Sequence, residues 1–344
     1  MEAGFTERKK DFRDFVALIH TGLRHCLAAL IGTAITSTLL SGGLFAQKSP
    51  GEKSINHNTR RMLLRDEGLS QLSYIDLADS AKNWYVKVAA GRDMQLAGNG
   101  RVMIGTGTGY EEYEITTGKK VFELNAYPGN ISARILRNGN TMLVGSDWQG
   151  KQGIVLVEVD KKGILQRRIV YPAHTYLRLI RETISGTFLI TADELVFEGN
   201  AKGEIIWQAK LAGLDKPHSW QALRLGNGQT IVSTGYDKNL QLFSKEGVLL
   251  DSISGPAQVH PVFYAGFQIL ANGNYIVTNW QGHGPSFGDS GTQLLEYTPK
   301  GKLVWSWKQY SQKFSSLQGV IVLDGLDLNR LHVEDENGKL SPVK

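Results

Sequence analysis

The chain has 344 residues, and its 38 basic and 33 acidic side chains give a formal net charge of +5 at pH 7. Because positive and negative side chains are interspersed along the chain, the composition argues against a nucleic-acid-binding surface. A single cysteine, Cys26, excludes a disulfide framework and a thiolate metal site.

Residues 1–46 predict a signal peptide. Basic residues between Arg8 and Arg24 precede an uncharged stretch, 26–45, and Ala46 provides a small residue for signal-peptidase cleavage. We therefore expect a periplasmic or secreted protein, with an uncleaved membrane anchor as the alternative. No later stretch is long and apolar enough to span a bilayer, so we expect no membrane span after cleavage.

Residues 47–68 are polar and mixed in charge, and they predict an N-terminal extension before a repeat domain at 69–344. In that domain a tight turn, a β-rich run, a second glycine turn and an apolar strand recur. The copies start roughly 40 to 47 residues apart. Their first turns are Asn99-Gly100, Asn138-Gly139, Ser185-Gly186, Asn227-Gly228 and Asn272-Gly273.

A repeat of this length with four short strands is typical of a β-propeller blade. The five copies predict five blades, with strands A to D running from the central channel outward. A sixth, composite blade is predicted from the segments that remain at both ends of the domain. Its strands A and B are 317–323 and 330–334, and its strands C and D are 74–77 and 84–88. The prediction is an all-β, six-bladed propeller of four-stranded antiparallel blades, closed by both chain ends. Seven blades remain open if 334–343 completes a blade of its own.

The stretch Tyr113–Phe122, which includes Thr117-Gly118-Lys119, resembles the docking motif of pyrroloquinoline-quinone-type propellers. In that superfamily an acidic residue, Thr-Gly-Lys and a tryptophan recur in each blade. Phe122, Trp207 and Trp305 take the aromatic place, and we expect them to pack against neighbouring blades. Within the superfamily the chain is most similar to the arylsulfate sulfotransferase branch of exported six-bladed propellers. A quinone is not expected, because the mature chain has no cysteine for a vicinal disulfide, so no cofactor is predicted.

The order of strands predicts two different faces. The A–B and C–D turns lie on one face, where the Asn-Gly turns are tight hairpin connections. The B–C loops and the D–A connections between blades lie on the other. Since loops on a rigid scaffold are where binding and catalytic residues concentrate, we expect the site on this second face.

Three D–A connections carry a histidine, and the B–C loops carry aromatic and amide side chains. A Trp-Gln-Gly triplet occurs in two of these loops, and the second of them is longer than blade closure requires. Gln95, Arg134, Arg178, Arg224 and Gln268 are candidates to line the channel from strand A. The predicted ligand-binding residues are Trp148, Gln149, Tyr236, Trp280, Gln281, His283 and Arg224; the predicted catalytic residues are His260, His218 and His174.

The preferred hypothesis is a monomeric binding propeller for a small-molecule or carbohydrate ligand, with arginines suited to an anionic one. The alternative is an enzyme, either a sulfotransferase-like group transferase or a lyase or hydrolase acting on a sugar or aryl ester. The resemblance implies that His260 or His218 would be nucleophile or acid/base, assisted by His174 and Arg224. A metal held by three histidines would require all three to converge deep in the channel, and no metal is predicted.

Overall fold

The computed structural model describes residues 57–213, 218–308 and 310–343, and these form a six-bladed β-propeller of four-stranded antiparallel sheets. Single turns of 3-10 helix lie at His57–Thr59, Ser80–Lys82 and Ala257–Val259. The predicted signal peptide and most of the predicted extension lie outside the described residues. In the part of the chain that is described, no helix is long and apolar enough to cross a membrane.

The strands follow one another as hairpins, blade by blade. In chain order they are β1 (Arg61–Asp66), β2 (Gln71–Asp76), β3 (Trp84–Lys87), β4 (Met94–Gly98), β5 (Arg101–Thr106), β6 (Gly109–Glu114), β7 (Lys120–Leu124), β8 (Ser132–Ile135), β9 (Thr141–Ser146), β10 (Ile154–Val159), β11 (Leu165–Tyr171), β12 (Ile180–Glu182), β13 (Phe188–Ala192), β14 (Leu195–Gly199), β15 (Ile205–Lys210), β16 (Ala222–Arg224), β17 (Thr230–Ser233), β18 (Asn239–Phe243), β19 (Leu249–Ser254), β20 (Phe263–Ile269), β21 (Tyr275–Trp280), β22 (Leu294–Tyr297), β23 (Leu303–Trp307), β24 (Leu317–Val322), β25 (His332–Glu334) and β26 (Leu340–Pro342).

Burial of the strands explains their composition. The middle strands are covered on both faces by neighbouring blades, so that every residue of β10 and of β13 is buried. Such strands have nearly continuous apolar sequences, as doubly covered sheets require. The outermost strands β15 and β23 alternate between exposed and partly buried residues. Three outer strands each carry an aromatic residue that packs against the next blade, as predicted. These residues are Phe122, Trp207 and Trp305.

Both chain ends build one blade, but not in the predicted proportions. C-terminal β24 is the innermost strand, and it pairs with β1 at Leu63–Ile321 and Leu64–Val320. N-terminal β1, β2 and β3 supply the other three strands, so the assignment of 330–334 to strand B was wrong. The propeller also begins within the predicted extension. The strand was not recognised because it follows Arg60 and contains Arg65. Both arginines are buried, and Arg60 forms an ion pair with Glu296 at 2.8 Å.

Residues 332–342 form a separate hairpin, β25–β26, and not a seventh blade. The hairpin lies across the A–B turns: Gly226 N donates to Glu336 O at 2.7 Å, and Lys339 bridges to Ile269 of β20. Its Glu334, Gly338 and Leu340 line a narrow cavity of about 50 Å³ inside the channel. The hairpin therefore closes the channel on the A–B face, a feature that the sequence pattern did not predict.

A network of buried charges fixes the hairpin in the channel. Both carboxylate oxygens of Glu334 accept hydrogen bonds from Arg134 Nη2 at 2.8 Å, and Oε1 also accepts from Arg181 Nε at 3.0 Å. Arg181 Nη1 donates to Asp93 at 2.7 Å. Although burial opposes ionisation, Arg134 and Arg181 lower the pKa of Glu334 to about 2. The two guanidinium groups therefore favour the charged form of the carboxylate.

Glutamine side chains connect the innermost strands of neighbouring blades. In each of three blade pairs, the amide Nε2 donates to a backbone carbonyl of the next blade and Oε1 accepts from the N–H of the same residue. One amide thus satisfies both backbone groups of a residue on an inner strand that has no further strand on its channel side. The pairs are Gln95 with Ile135, Gln221 with Phe267, and Gln268 with Val322, at 2.7 to 3.2 Å.

We expect Glu334→Ala to lower the free energy of unfolding by about 3 kcal/mol, because Arg134 and Arg181 would lose a buried partner. Folding lowers the pKa of Glu334 from its ordinary value of 4.5 to about 2. The ionised carboxylate therefore contributes fully to the free energy of unfolding above pH 4.5, and this contribution is lost as the pH falls toward about 2. Urea unfolding between pH 3 and pH 7 measures both effects.

Glu336→Ala is the matched control, since Glu336 is an exposed acid on the same hairpin. Equal stability of both variants at pH 7 would contradict the proposed role of the network.

Candidate functional site

The channel opens on the predicted face, where the B–C loops and the D–A connections lie. The opening is a cavity of about 580 Å³, bordered by Glu67 and Tyr236 of two B–C loops and by Gly91 and Tyr176 of two D–A connections. It continues inward to the narrow cavity above the hairpin, and Arg65, Trp220 and Gln318 border both spaces. We call the larger cavity the mouth. The hairpin gives the channel a closed end.

One side of the mouth is a cluster of packed aromatic rings. Phe263 lies at its centre, with edge-to-face contacts to Trp220 at 5.6 Å, to Trp280 at 5.4 Å and to Tyr236 at 4.7 Å between ring centroids. Trp220, Phe263 and Trp280 are buried, whereas Tyr236 is 37% exposed. Perpendicular contacts of this kind hold each ring at a fixed angle. Tyr176, which is 36% exposed, extends this aromatic wall along the rim.

Across the ring from this wall, small residues of the first two blades border the mouth beside Asn130 and Ile131; they are Ala90, Gly91, Gly107 and Ser146. Gly91 packs so closely on Gly105 that a Cβ would lie 2.2 Å from its carbonyl oxygen. The short side chains of this side reach less far into the cavity than the aromatic rings opposite.

Two arginines, Arg92 and Arg178, enter the mouth beside the aromatic wall. The guanidinium of Arg178 lies over Tyr176 at 4.8 Å and over Trp220 at 5.3 Å, and that of Arg92 lies 5.8 Å from the same indole. No carboxylate of the described residues forms an ion pair with either arginine. Burial and the nearby charge of Arg178 lower the pKa of Arg92 to about 10.

Glu67 connects the composite blade to the long B–C loop of the fifth blade. Its Oε2 accepts a hydrogen bond from Trp280 Nε1 at 3.1 Å, and its Oε1 lies 3.0 Å from His283 Nδ1. Both oxygens of this carboxylate are thus directed to the loop and its tryptophan.

Three of the predicted ligand-binding residues, Tyr236, Trp280 and His283, line the mouth together. His218 lies beside them, with its ring 5.4 Å from Tyr236 and 6.2 Å from Tyr176. Its Nδ1 lies 3.1 Å from Asp193 Oδ1, which fixes the orientation of the imidazole.

The other predicted ligand-binding residues are placed elsewhere. Trp148 is buried, and its Nε1 donates to Pro128 O at 2.8 Å, while Gln149 is an exposed turn residue with φ 54°. Gln281 is buried and donates to Asn279 O. Arg224 points away from the mouth, to Glu198 at 2.7 Å and over the Trp207 ring at 3.9 Å. Its neighbour on β16, Leu223, borders the narrow cavity, and successive side chains of a strand point to opposite faces.

The three predicted catalytic histidines do not line one cavity. His174 stacks on Phe197 at 5.1 Å within the third blade, where burial lowers its pKa. His260 is exposed and ends a 3-10 turn with φ 47°. Of the three, only His218 lies beside the mouth. No group of three or more His, Cys, Asp or Glu side chains that could hold a metal ion occurs within the described ranges.

Arg92, Tyr176, Trp220 and Phe263 border the mouth but were not predicted as site residues. Three of these four residues lie at the start of an innermost strand. Arg92 lies two residues before β4, Trp220 lies two residues before β16, and Phe263 is the first residue of β20. Arg178, already named as a channel candidate, lies two residues before β12. The start of strand A was thus the useful signal, because it is where each connection reaches the channel.

The comparisons with known proteins identify the fold alone. No family model and no curated protein matches the chain. A solved protein of unknown function from Bacteroides caccae is 20% identical with a TM-score of 0.60, over 76% of this chain and 98% of that one. A chain of a nidogen–laminin complex is 11% identical with a TM-score of 0.53 over the same shares. Regucalcin from Agrobacterium tumefaciens is 13% identical with a TM-score of 0.49, over 76% and 94%. The likeness supports a propeller, but not its assignment to the quinone-type or sulfotransferase branch.

We expect Trp148→Ala to destabilise the protein by about 3–5 kcal/mol, because removing a buried indole leaves a cavity between β9 and the 127–130 connection. Gln149→Ala, at the next and exposed position, should change the free energy of unfolding by less than about 0.5 kcal/mol. Urea denaturation of the two variants measures the difference. A stable Trp148→Ala protein would show that the indole is not a packing residue.

Proposed function

We propose that this protein is a binding propeller that takes up a small ligand with a flat face, such as a sugar or an aryl ring, at the mouth. The observation that carries the proposal is the asymmetry of the cavity: packed aromatic rings on one side and small residues on the other. Aromatic side chains with a few polar groups are the usual lining of small-molecule sites. The closed end of the channel supports binding in preference to passage.

The size of the mouth supports a ligand of one or two rings. Pockets for small molecules are commonly about 300–1,000 Å³, and the mouth has about 580 Å³. Tyr236 and Tyr176 offer the exposed ring area, while the buried Trp220, Phe263 and Trp280 hold the wall rigid. A rigid wall limits the entropy that binding must overcome.

An enzyme is the second candidate, and the position of His218 favours it. Its ring lies at the rim of the mouth, oriented by Asp193, in an arrangement that suits general acid–base chemistry. A sulfotransferase-like reaction or the cleavage of a sugar or aryl ester would then depend on His218, without His174 or His260. Turnover of aryl esters that is lost in His218→Ala and retained in His260→Ala would favour the enzyme over the binding module.

We further propose that the protein is exported as a monomer to the periplasm or the medium. The basic and apolar segment at 1–46 supports this proposal. N-terminal sequencing of the protein from fractionated cells tests it, since cleavage after Ala46 would leave Gln47 as the first residue.

We expect Tyr236→Ala to weaken the binding of a neutral flat ligand by up to about tenfold, which corresponds to about 1.4 kcal/mol. A panel of neutral aryl glycosides and phenols provides the probes, and isothermal titration calorimetry measures the affinities. The variant removes exposed ring area from the mouth while the buried rings remain.

Tyr310→Ala is the matched control, because Tyr310 is 68% exposed and lies outside the mouth. The proposal fails if no member of the panel binds, or if both tyrosine variants bind with the affinity of the unchanged protein.

A further inference from the structure

Arg92 and Arg178 are a pair of cations in the mouth whose presence the aromatic wall does not explain. Both side chains border the same cavity, and both are only partly buried. Each guanidinium lies over the Trp220 indole. A guanidinium that stacks on an aromatic face keeps its N–H edge free for a second partner. The stacking therefore positions the two cations without using their hydrogen-bond donors.

Their donors are almost unused within the protein. Arg92 Nη1 makes one long hydrogen bond, of 3.4 Å, to Leu177 O. For Arg178, no hydrogen bond to the described residues is formed, and its Nε is buried without a partner. Among the other arginines around the channel, Arg134 and Arg181 pair with carboxylates. Arg65 instead donates from Nη2 to Ala89 O and Gly91 O, and its buried Nε and Nη1 have no hydrogen-bond partner among the described residues. Two neighbouring unpaired cations in a partly desolvated cavity repel each other, and a bound anion would remove that cost.

The acidic groups of the mouth do not fill this role. Glu67 directs its two oxygens to Trp280 and His283. Asp66 accepts hydrogen bonds from the backbone N–H groups of Leu69, Ser315 and Ser316. The charge of Glu67 favours the charged form of Arg92, but no oxygen of either carboxylate accepts a hydrogen bond from Arg92 or Arg178. The N–H donors of both arginines therefore remain available for an external acceptor.

We propose that the ligand of the mouth is an oxyanion carried on a ring, with its carboxylate, phosphate or sulfate group held by Arg92 and Arg178 and its ring against the aromatic wall. The ring contact in this inference rests on the proposed function. The anion contact is argued from the two arginines alone. Planar guanidinium groups match the paired oxygens of all three oxyanions. An anionic ligand is preferred over a neutral sugar or a cation, because only the anion pairs with the two guanidinium groups.

The test separates the anion from the ring. Three classes of probe are titrated by calorimetry. Sodium acetate, inorganic phosphate and inorganic sulfate are anions without a ring, and phenyl β-D-glucoside is a ring without charge. Phenyl phosphate and benzoate carry an anionic group on a ring. The proteins are the full mature chain, Arg92→Gln, Arg178→Gln and Arg178→Lys. Arg168→Gln is the control, because Arg168 is an exposed arginine on the outer strand of the second blade and its removal changes net charge equally.

We expect the charged ring probes to bind at least tenfold more tightly than phenyl glucoside. Arg92→Gln and Arg178→Gln should each weaken the binding of the charged probes about tenfold and should change the affinity for phenyl glucoside little. Arg178→Lys should recover part of the loss, and Arg168→Gln should bind like the unchanged protein. The preferred inorganic anion identifies the oxyanion. Because the arginines have no carboxylate partner, thermal denaturation should show that all four variants are folded.

Two outcomes distinguish this inference from the proposed function. In the first outcome, phenyl glucoside binds and the charged ring probes bind no more tightly, both in the unchanged protein and in the two glutamine variants. The proposed function then stands, and the proposal of an oxyanion ligand is wrong. If the inorganic anions bind in an arginine-dependent manner and phenyl glucoside does not bind, the anion contact stands and the aromatic site fails. Absence of binding by every probe overturns both.

Discussion

Pairing of β24 with β1 is the constraint on which the rest of the structure depends. These two strands come from opposite ends of the repeat domain, and their hydrogen bonds turn a row of blades into a closed ring. An open ring would expose the unpaired backbone edge of β1, which is a site for aggregation. Closure also fixes the six innermost strands around one axis, so that the glutamine contacts between blades and the cavity at the mouth can form.

Much of the fold could be predicted from the sequence, because the cause of each blade is local. Tight turns such as Asn138-Gly139, where Gly139 adopts φ 85°, end strands at nearly regular intervals, and the order of hairpins then decides which loops share a face. The composite blade was only half predictable. The sequence around β1 reads as polar because Arg60 precedes the strand and the strand itself contains Arg61, Arg65 and Asp66. Only the folded structure, in which Arg60 contacts Glu296 and Trp305, explains why Arg60 is buried.

The candidate site was less predictable, because identical residues have different surroundings. Trp148 and Trp280 belong to the same Trp-Gln-Gly triplet in two blades. Trp280 is the last residue of β21, where it contacts Phe263 and borders the mouth. Trp148 lies two residues beyond the end of β9, and its indole donates to Pro128 O. The triplet alone does not reveal this difference in its position relative to the strand end. Likewise, Arg178 precedes an innermost strand and Arg224 belongs to one, yet strand alternation directs Arg224 outward because its neighbour Leu223 borders the narrow cavity.

The hairpin across the A–B face gives the propeller a single entrance. Whatever reaches the aromatic rings must leave by the route through which it came, and a long polymer cannot be threaded along the axis. A glycan chain or another extended molecule could be engaged only through a terminal unit or a short side branch that dips into the ring, with the remainder held outside in solvent.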